Sequence, residues 1–443
     1  MRYGTRMSEL TSPTAVDAVG WPPAGRGFRS RAGWHLASVA SMHAVSDALF
    51  AGVYPLLPLI ASDLHLSYGQ VGAVKAILGG ASALLQVPAG MLAETVGEHL
   101  LLAAGTGAVG LGLIAMAATA TFIPLLIWTA LAGIGGNTQH PVANALVSRL
   151  FGDARRPQAI GTLNFAGDIG KIAAPFIGGL GAYYYGWRGG VIALGITGLV
   201  FAIVYSLAVP VTRGSVAQAM RDQFAASTPG AVTRHTLSIW HRDSWRFRAW
   251  GIRNPGAYGA LTATGMLDAA ARGAALALLP FVFDRASLTP AEISVAFAVL
   301  FGAGAAGKFL CGPLATRAGP TVTIMVTEIV TASGLILIPF APKAAILWAI
   351  LPFGFSLNGT SSVLYGLVAP FVDPDQRGRA YGLFYTSTLL ATASAPVIYG
   401  AIADIVGLTG SFAVLGMITL AIVPLAHRWR RAFDGADHQA VTT

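Results

Sequence analysis

Charged side chains inside apolar segments are the residues best placed to do chemistry in this chain. Asp47 follows His43 by one helical turn in a segment made mostly of small and aliphatic residues. Residues three or four apart share one helix face, and a carboxyl group in such surroundings takes up a proton easily unless a fixed cation neutralises it. Its own segment offers Asp47 only His43 as a partner. We therefore expect His43 and Asp47 to bind and release a proton, with a structural hydrogen-bonded pair or a direct substrate contact as the alternatives.

Two further acids each lie one turn before a base. Asp168 precedes Lys171 by three residues and Asp268 precedes Arg272 by four, so each pair shares one helix face. Charge inside an apolar segment is costly and usually has a function, and we expect Asp168 and Asp268 to join in proton coupling. The alternative is that both are neutralising structural pairs that only lower the cost of burial.

The charge balance of the apolar segments indicates what kind of solute would bind there. The bases Lys75, Lys171, Arg272 and Lys308 slightly outnumber the acids Asp47, Asp168 and Asp268. An anionic or zwitterionic compound, such as a carboxylate or phosphonate, is therefore expected. Two other acids, Glu292 at a helix start and Glu328 on a peripheral helix, are interpreted as structural. The candidate substrate-binding residues are Tyr54, Lys75, Gln86, Asn137, His140, Asn164, Lys171, Arg272, Lys308 and Asn358.

Long apolar segments must hold these residues. Of the 443 residues, 54% are hydrophobic and 11% are charged, whereas soluble domains carry about 25% charged residues. A membrane-spanning helix needs about 20 mostly apolar residues. Twelve segments satisfy this: 36–59, 70–92, 99–118, 122–147, 158–182, 187–210, 257–282, 291–314, 321–340, 344–370, 378–402 and 408–427. The sequence therefore predicts an all-α membrane protein with twelve transmembrane helices.

The basic residues predict the orientation of these spans. Most Lys and Arg residues lie in the N-terminal arm, the loops after even-numbered spans, the central linker and the C-terminus, and the opposite loops hold only Arg188, Arg285 and Lys343. By the positive-inside rule both termini and the linker are cytoplasmic, so the basic excess does not indicate nucleic acid. The predicted regions are a disordered cytoplasmic arm (1–34), a six-helix bundle (35–210), a cytoplasmic linker (211–256), a second six-helix bundle (257–430) and a cytoplasmic tail (431–443).

The two halves of the chain repeat each other at a nearly constant spacing. The apolar run Leu56–Pro58 recurs as Leu278–Pro280, 222 residues later. Two short loops keep the same spacing, with Gly90 and Gly97 matched by Gly312 and Gly319. A duplication of this length in so apolar a chain indicates two facing membrane bundles, the geometry of alternating-access transporters.

Both loops resemble the signature loop of the major facilitator superfamily, in which a glycine precedes an acid–base pair and a second glycine follows. The resemblance covers residues 36–430 and implies two six-helix bundles that rock around a midplane site. The first loop has Thr95 in place of a base and the second has Thr316 in place of the acid. A charge relay there is therefore expected to be weakened or rebuilt. The gating residues implied by the resemblance are Gly90, Glu94, Gly97, Gly312, Arg317 and Gly319.

Within the superfamily, the first half is similar to the fosmidomycin-resistance type of exporter. His43 with Asp47, the run Tyr54–Leu57 and the pair His140–Pro141 carry this resemblance. The run Ala174–Gly179 is similar to a glycine-proline motif of exporters, although small residues at this spacing also permit close helix contact. We expect a proton-coupled transporter of a small organic compound, with export favoured. The alternatives are a proton symporter that imports an organic acid or other metabolite and, in a different class, a non-transporting membrane receptor or enzyme.

Other chemistries find little support in the sequence. The stretch Gly302–Lys308 approximates a nucleotide-binding loop, but that motif needs a solvent-facing loop between a strand and a helix, and this stretch is apolar. The single cysteine, Cys311, can form neither an internal disulfide nor a metal cluster. We therefore expect no cofactor, no metal and no catalytic residue. The expected protein is a monomer of the bacterial inner membrane whose partners are protons, a small solute and lipid.

Overall fold

The computed structural model describes residues 31–136, 139–151, 155–209, 251–373 and 377–440, and every regular element in these ranges is a helix. The predicted N-terminal arm and central linker fall outside the described residues except for their last few positions. The helices of the first half are α1 (Arg31–Ala51), α2 (Leu57–Asp63), α3 (Tyr68–Val96), α4 (Glu98–Met116), α5 (Phe122–Gly136), α6 (Gln139–Leu150) and α7 (Arg156–Ala208). Those of the second half are α8 (Pro255–Arg285), α9 (Pro290–Ala318), α10 (Pro320–Leu337), α11 (Lys343–Gly366), α12 (Arg377–Leu420), α13 (Ile422–Arg428) and α14 (Arg430–Ala440).

The sequence repeat is visible in the ends of matching helices. α3 begins at a capping box in which Ser67 and Gln70 satisfy each other's backbone N–H groups, and α9 begins at the same arrangement with Thr289 and Glu292. Both helices end at a glycine with positive φ, Gly97 at 91° and Gly319 at 89°. Equivalent sequence positions therefore start and stop equivalent helices.

The two longest helices bend at matching glycines. In α7 the backbone leaves helical geometry at Tyr185 and Gly186, where Gly186 has φ 66° and ψ −172°. In α12 the same happens at Gly407, with φ 79° and ψ 163°. This combination of angles is essentially restricted to glycine. The predicted boundaries between the fifth and sixth and between the eleventh and twelfth spans coincide with these bends.

Eight helical stretches of the described residues are long and apolar enough to cross a membrane. The predicted first span, 36–59, is not one regular helix, because a 3₁₀ turn at Tyr54–Leu56 separates α1 from α2. Pro55 and Pro58 lie at the starts of these two elements, where a proline fits without losing a hydrogen bond. The predicted fourth span, 122–147, includes α5 and most of α6, and residues 137 and 138 between them lie outside the described residues.

The buried apolar residues that the structure describes fall into one core shared by both halves and two cores that belong to one half each. The shared core contains Leu56 and Leu57 of the first half together with Leu278 and Leu279 of the second. At the end of the molecule where α1 begins, the first half has a core of its own around Val39 and Leu102. The second half likewise has a separate core around Tyr258 and Phe433. The halves are thus packed together at one end and separate at the end that holds the chain's described termini.

Candidate functional site

Four charged side chains form a chain of ion pairs where the halves meet. Asp47 of α1 forms an ion pair with Lys171 of α7, with 2.8 Å between Oδ2 and Nζ. Lys171 also lies 3.3 Å from Oδ1 of Asp168, one turn earlier on α7. That same oxygen is 2.7 Å from Nζ of Lys308, which belongs to α9 of the second half. The ion pairs therefore connect α1 to the other half of the protein.

The partner of Asp47 corrects the expectation from sequence. Asp47 was expected to lack a fixed cation, and that expectation is wrong because Lys171 contacts it from another helix. α1 and α7 approach closely here, since a Cβ atom at Gly170 would collide with the carbonyl oxygen of Ala44. A Cβ atom at Gly167 would lie 2.6 Å from Oδ2 of Asp47. Small residues on α7 therefore bring Lys171 within reach of Asp47.

Two histidines contact the other faces of the Asp47 carboxylate. Nε2 of His43 lies 3.8 Å from Oδ2 and Nε2 of His140 lies 3.7 Å from Oδ1, and the two rings pack edge to face at 4.9 Å. The three side chains could hold a metal, since their ligand atoms lie within 4.8 Å of one another. The ammonium group of Lys171 on the same carboxylate repels a cation, however. The arrangement suits exchange of protons among the carboxylate, the imidazoles and the amine.

An aromatic group lies beside this network and also joins the halves. Nζ of Lys75 sits 3.7 Å from the centre of the Tyr54 ring, a cation–π contact. The Tyr54 ring stacks on Phe297 of α9 at 5.8 Å with 10° between the planes. Phe297 and its neighbour Phe301, which is 6.3 Å from Tyr54, were missed from sequence because apolar residues in an apolar segment give no signal.

The second half has its own buried acid–base group. Oδ2 of Asp268 lies 3.2 Å from Arg272 of the same helix, and Arg272 also donates to the carbonyl oxygen of Leu357 at 3.3 Å. A pocket next to this pair is lined by Gly265, Asp268, Arg272, Ser361, Leu364, Tyr365, Phe384 and Thr388. Sequence reasoning missed Tyr365, Phe384 and Thr388.

Glu328 was interpreted as a structural acid on a peripheral helix, and the structure adds a neighbour that the sequence did not predict. It belongs to α10, its side chain is fully buried, and it faces the carboxyl group of Asp268. The signal that could have found it is a stripe of small hydroxyl residues on the same helix. Thr323, Thr327 and Thr331 follow one another at four-residue spacing and are all buried.

Of the remaining predicted substrate-binding residues, the structure describes two in full, Asn164 and Asn358. Asn164 is exposed one turn before Asp168. Asn358 donates to the carbonyl of Gly354 in its own helix at 3.3 Å. Asn137 lies outside the described residues, and of Gln86 only the backbone, within α3, is described.

The predicted gating loops are shown only in part. Of Gly90 and Glu94 only the backbone, within α3, is described, whereas Gly97 and Gly319 terminate α3 and α9. Arg317 is exposed, and a Cβ at Gly312 would meet open space. A carboxylate that the sequence did not predict approaches the second loop: Asp434 of α14 accepts from the backbone N–H of Thr321 at 3.1 Å.

At the opposite end, backbone contacts close the halves against each other. Asp404 of α12 accepts from the N–H groups of Tyr68 at 2.8 Å and Gly69 at 2.9 Å, the first turn of α3. Glycines permit this approach, because a Cβ at Gly72 would collide with the Pro396 carbonyl and one at Gly400 with the Tyr68 carbonyl. Asp404 was not predicted from the sequence.

Comparison with known proteins shows which family has a similar sequence. The family model described as Major Facilitator Superfamily matches residues 39–252 and 261–439. The uncharacterized MFS-type transporter YfnC of Bacillus subtilis (strain 168) is 24% identical over 388 residues, 86% of this chain and 88% of that protein. The fosmidomycin resistance protein of Escherichia coli (strain K12) is 25% identical over 171 residues, 39% of this chain and 41% of that protein.

Among solved structures, a bacterial homolog of the human lysosomal transporter Spinster, crystallised in an inward-facing and unoccupied conformation, has a similar fold. The TM-score is 0.70 at 15% identity, and the match covers 95% of this chain and 99% of that one. A likeness at this level of identity reports the fold.

Proposed function

The chain belongs to the major facilitator superfamily, as its signature loops indicated, and from this premise we propose that it is a proton-coupled transporter of a small anionic or zwitterionic organic compound, with export favoured. The proposal comprises twelve spans in two six-helix bundles, 35–210 and 257–430, joined by a cytoplasmic linker, 211–256, in a monomer of the bacterial inner membrane. Family membership makes the protein a transporter rather than an enzyme.

The observation that carries the proposal is the ion pair between Lys308 and Asp168. It joins the two halves at 2.7 Å, and through Lys171 it reaches Asp47. If the bundles rock apart, this pair breaks, and an unpaired charge in a low-dielectric site is costly. An anionic group of the substrate at Lys308 and Lys171 offsets that cost by replacing Asp168. Protons on Asp47 and Asp168 also offset the cost, because they neutralise the carboxylates that would otherwise be left unpaired.

The distribution of cores supports alternating access. The halves share one core at the end that holds Asp404 and Tyr68 and have separate cores at the end that holds the described termini. With the termini in the cytoplasm, as the basic residues predict, the conformation is the one open toward the cytoplasm. A compound to be exported would enter from this side.

A binding experiment tests the role of Lys308 and the substrate class. The purified protein is screened by thermal stabilisation against organic carboxylates, phosphonates including fosmidomycin, and organic cations. We expect anions to stabilise it and the Lys308→Met variant to bind them at least about tenfold more weakly, since a charge-assisted hydrogen bond contributes about 1.5–3 kcal/mol.

The matched control is Lys343→Met. Lys343 pairs with Glu292 at 2.8 Å at an exposed position, so this variant should bind anions like the parent protein. Stabilisation by organic cations alone, undiminished in Lys308→Met, would contradict the proposed substrate class. Import and export are then distinguished in proteoliposomes of known orientation loaded on one side. A proton symporter moves the compound in the same direction as the protons, whereas a proton-coupled exporter moves it in the opposite direction.

A further inference from the structure

The buried carboxyl group of Glu328 has no donor to neutralise it in the described part of the chain. Its side chain is fully buried on α10, and neither carboxyl oxygen receives a hydrogen bond from a backbone or side-chain donor there. The neighbouring hydroxyl of Thr360 donates instead to Thr327 at 2.8 Å or to the carbonyl of Ser356 at 3.2 Å. An ionised carboxylate in this position would be desolvated without compensation.

The group that Glu328 does face is a second carboxyl group. Asp268 of α8 is the neighbouring acid, and Arg272 pairs with Asp268 at 3.2 Å. Among the described residues, Tyr365 is a further titratable side chain near this pair. Two carboxyl groups in contact repel each other strongly when both are ionised. With one guanidinium present, charge is balanced when the two carboxyls together hold one proton.

We propose that Glu328 and Asp268 share one exchangeable proton, so that the second half contains a proton-binding site of its own, distinct from the ion pairs around Asp47. The O–H of Glu328 donates to the Asp268 carboxylate, which in turn accepts from Arg272. Loss of the proton leaves two carboxylates against one cation. That the transport cycle uses this proton rests on the proposed function, whereas the binding of the proton does not.

The position of the two carboxyl groups indicates how the proton enters and how it affects Arg272. Asp268 and Arg272 line the pocket between α8, α11 and α12, while Glu328 is closed off behind them. A proton therefore enters or leaves through Asp268. When the shared proton moves from Glu328 to Asp268, the negative charge moves to Glu328 behind the pocket. Arg272 then loses its direct anionic partner, Asp268, and becomes available to an anion in the pocket. Protonation and anion binding are thereby linked at one guanidinium.

Infrared spectroscopy of the purified protein tests the shared proton without any transported compound. At neutral pH the parent protein should show the C=O band of a buried carboxylic acid, shifted in D₂O. The band should disappear in Glu328→Gln, because Asp268 then ionises against Arg272, and also in Asp268→Asn, because Glu328 then takes that place. In Arg272→Gln both carboxyls should be protonated, and the band should approximately double in area.

The matched control is Glu292→Gln, which removes an exposed acid that pairs with Lys343 and should leave the band unchanged. Thermal unfolding checks that each variant is folded, and Glu328→Gln is the most conservative because a neutral amide replaces a neutral acid.

Absence of the band from the parent protein, or its persistence in Glu328→Gln, would overturn the proposal. Persistence in Asp268→Asn would assign the proton to Glu328 alone and overturn the sharing. Failure of transport with these infrared results intact would count only against the proposed function.

Discussion

The carboxylate of Asp47 has three basic neighbours of different character. Lys171 is a strong cation at 2.8 Å, and the imidazoles of His43 and His140 approach at 3.8 Å and 3.7 Å. Lys171 can turn from Asp47 to Asp168, which it already contacts at 3.3 Å. After such a movement the Asp47 carboxylate keeps only the contacts with His43 and His140 among those that the structure describes. The site can therefore change the charge state of Asp47 by a small side-chain movement.

Replacement of Asp47 tests this function directly. Asp47→Asn should abolish proton movement driven by the transported anion in proteoliposomes, because the amide cannot carry an exchangeable acid proton. The readout is a pH-sensitive dye inside the vesicles. Asp63→Asn is the control, since Asp63 is partly exposed and pairs with Arg188 at 2.6 Å, and it should keep proton movement. Retained coupling in Asp47→Asn would remove Asp47 from the proton site.

At this scale the sequence predicted contacts within a helix and missed those between helices. The pairs Asp168–Lys171 and Asp268–Arg272 follow from spacing of three and four residues, and both are present. The contact of Lys308 with Asp168 joins residues 140 positions apart. No local pattern carries such information, because it depends on how helices pack.

The helices keep the symmetry of the duplication at their ends and lose it at their charged faces. The capping boxes of α3 and α9 and the terminal glycines Gly97 and Gly319 match, and these were predictable because caps have local sequence signatures. The two bends at Gly186 and Gly407 also match. Asp47 and Asp168 have Ala269 and Leu389 at the corresponding positions. The scaffold is duplicated, and the charged network is not.

The bend in α7 gives a test at the scale of one element. Gly186→Ala should lower the free energy of unfolding by about 1–3 kcal/mol, since only glycine adopts this backbone conformation without strain. A Cβ at Gly186 meets no atom within 4 Å, so the loss comes from the backbone alone. Thermal unfolding of the purified protein measures it.

The control for this substitution is Gly161→Ala in the same helix. Gly161 also has open space around a Cβ, but its backbone is regular helix, so alanine should be neutral or stabilise by up to about 1 kcal/mol. Equal losses in the two variants would contradict the role of the positive φ at Gly186.

For the whole molecule, the decisive feature is that the halves are held together at one end. Asp404 closes that end by accepting from the first turn of α3, and Arg285 adds a hydrogen bond to the Tyr68 hydroxyl at 3.1 Å. The fold class and the two-half organisation were predictable from composition and repeat. Which end is closed was not, because both conformations of such a protein have the same sequence.

Removal of the Asp404 carboxylate should weaken this closure. Cys311 is the single cysteine and is buried, so Cys311→Ala provides a background for spin labels at Ser62→Cys and Asp284→Cys. In that background Asp404→Ala should shift the distance distribution between the labels to longer values, measured by electron–electron double resonance. Asp373→Ala is the control, because Asp373 pairs with Arg253, just before α8, and not with α3. An unchanged distribution in Asp404→Ala would show that apolar packing alone holds this end.

The separate cores also determine how the protein would respond to mechanical force. Leu36 near one described terminus and Phe433 near the other belong to different cores at the same end of the molecule. Tension applied between the two ends of the chain therefore pulls the halves apart at the end where their cores are separate, while the shared core at the other end holds them together. Under load the cleft should widen as a first, reversible extension before any helix is extracted.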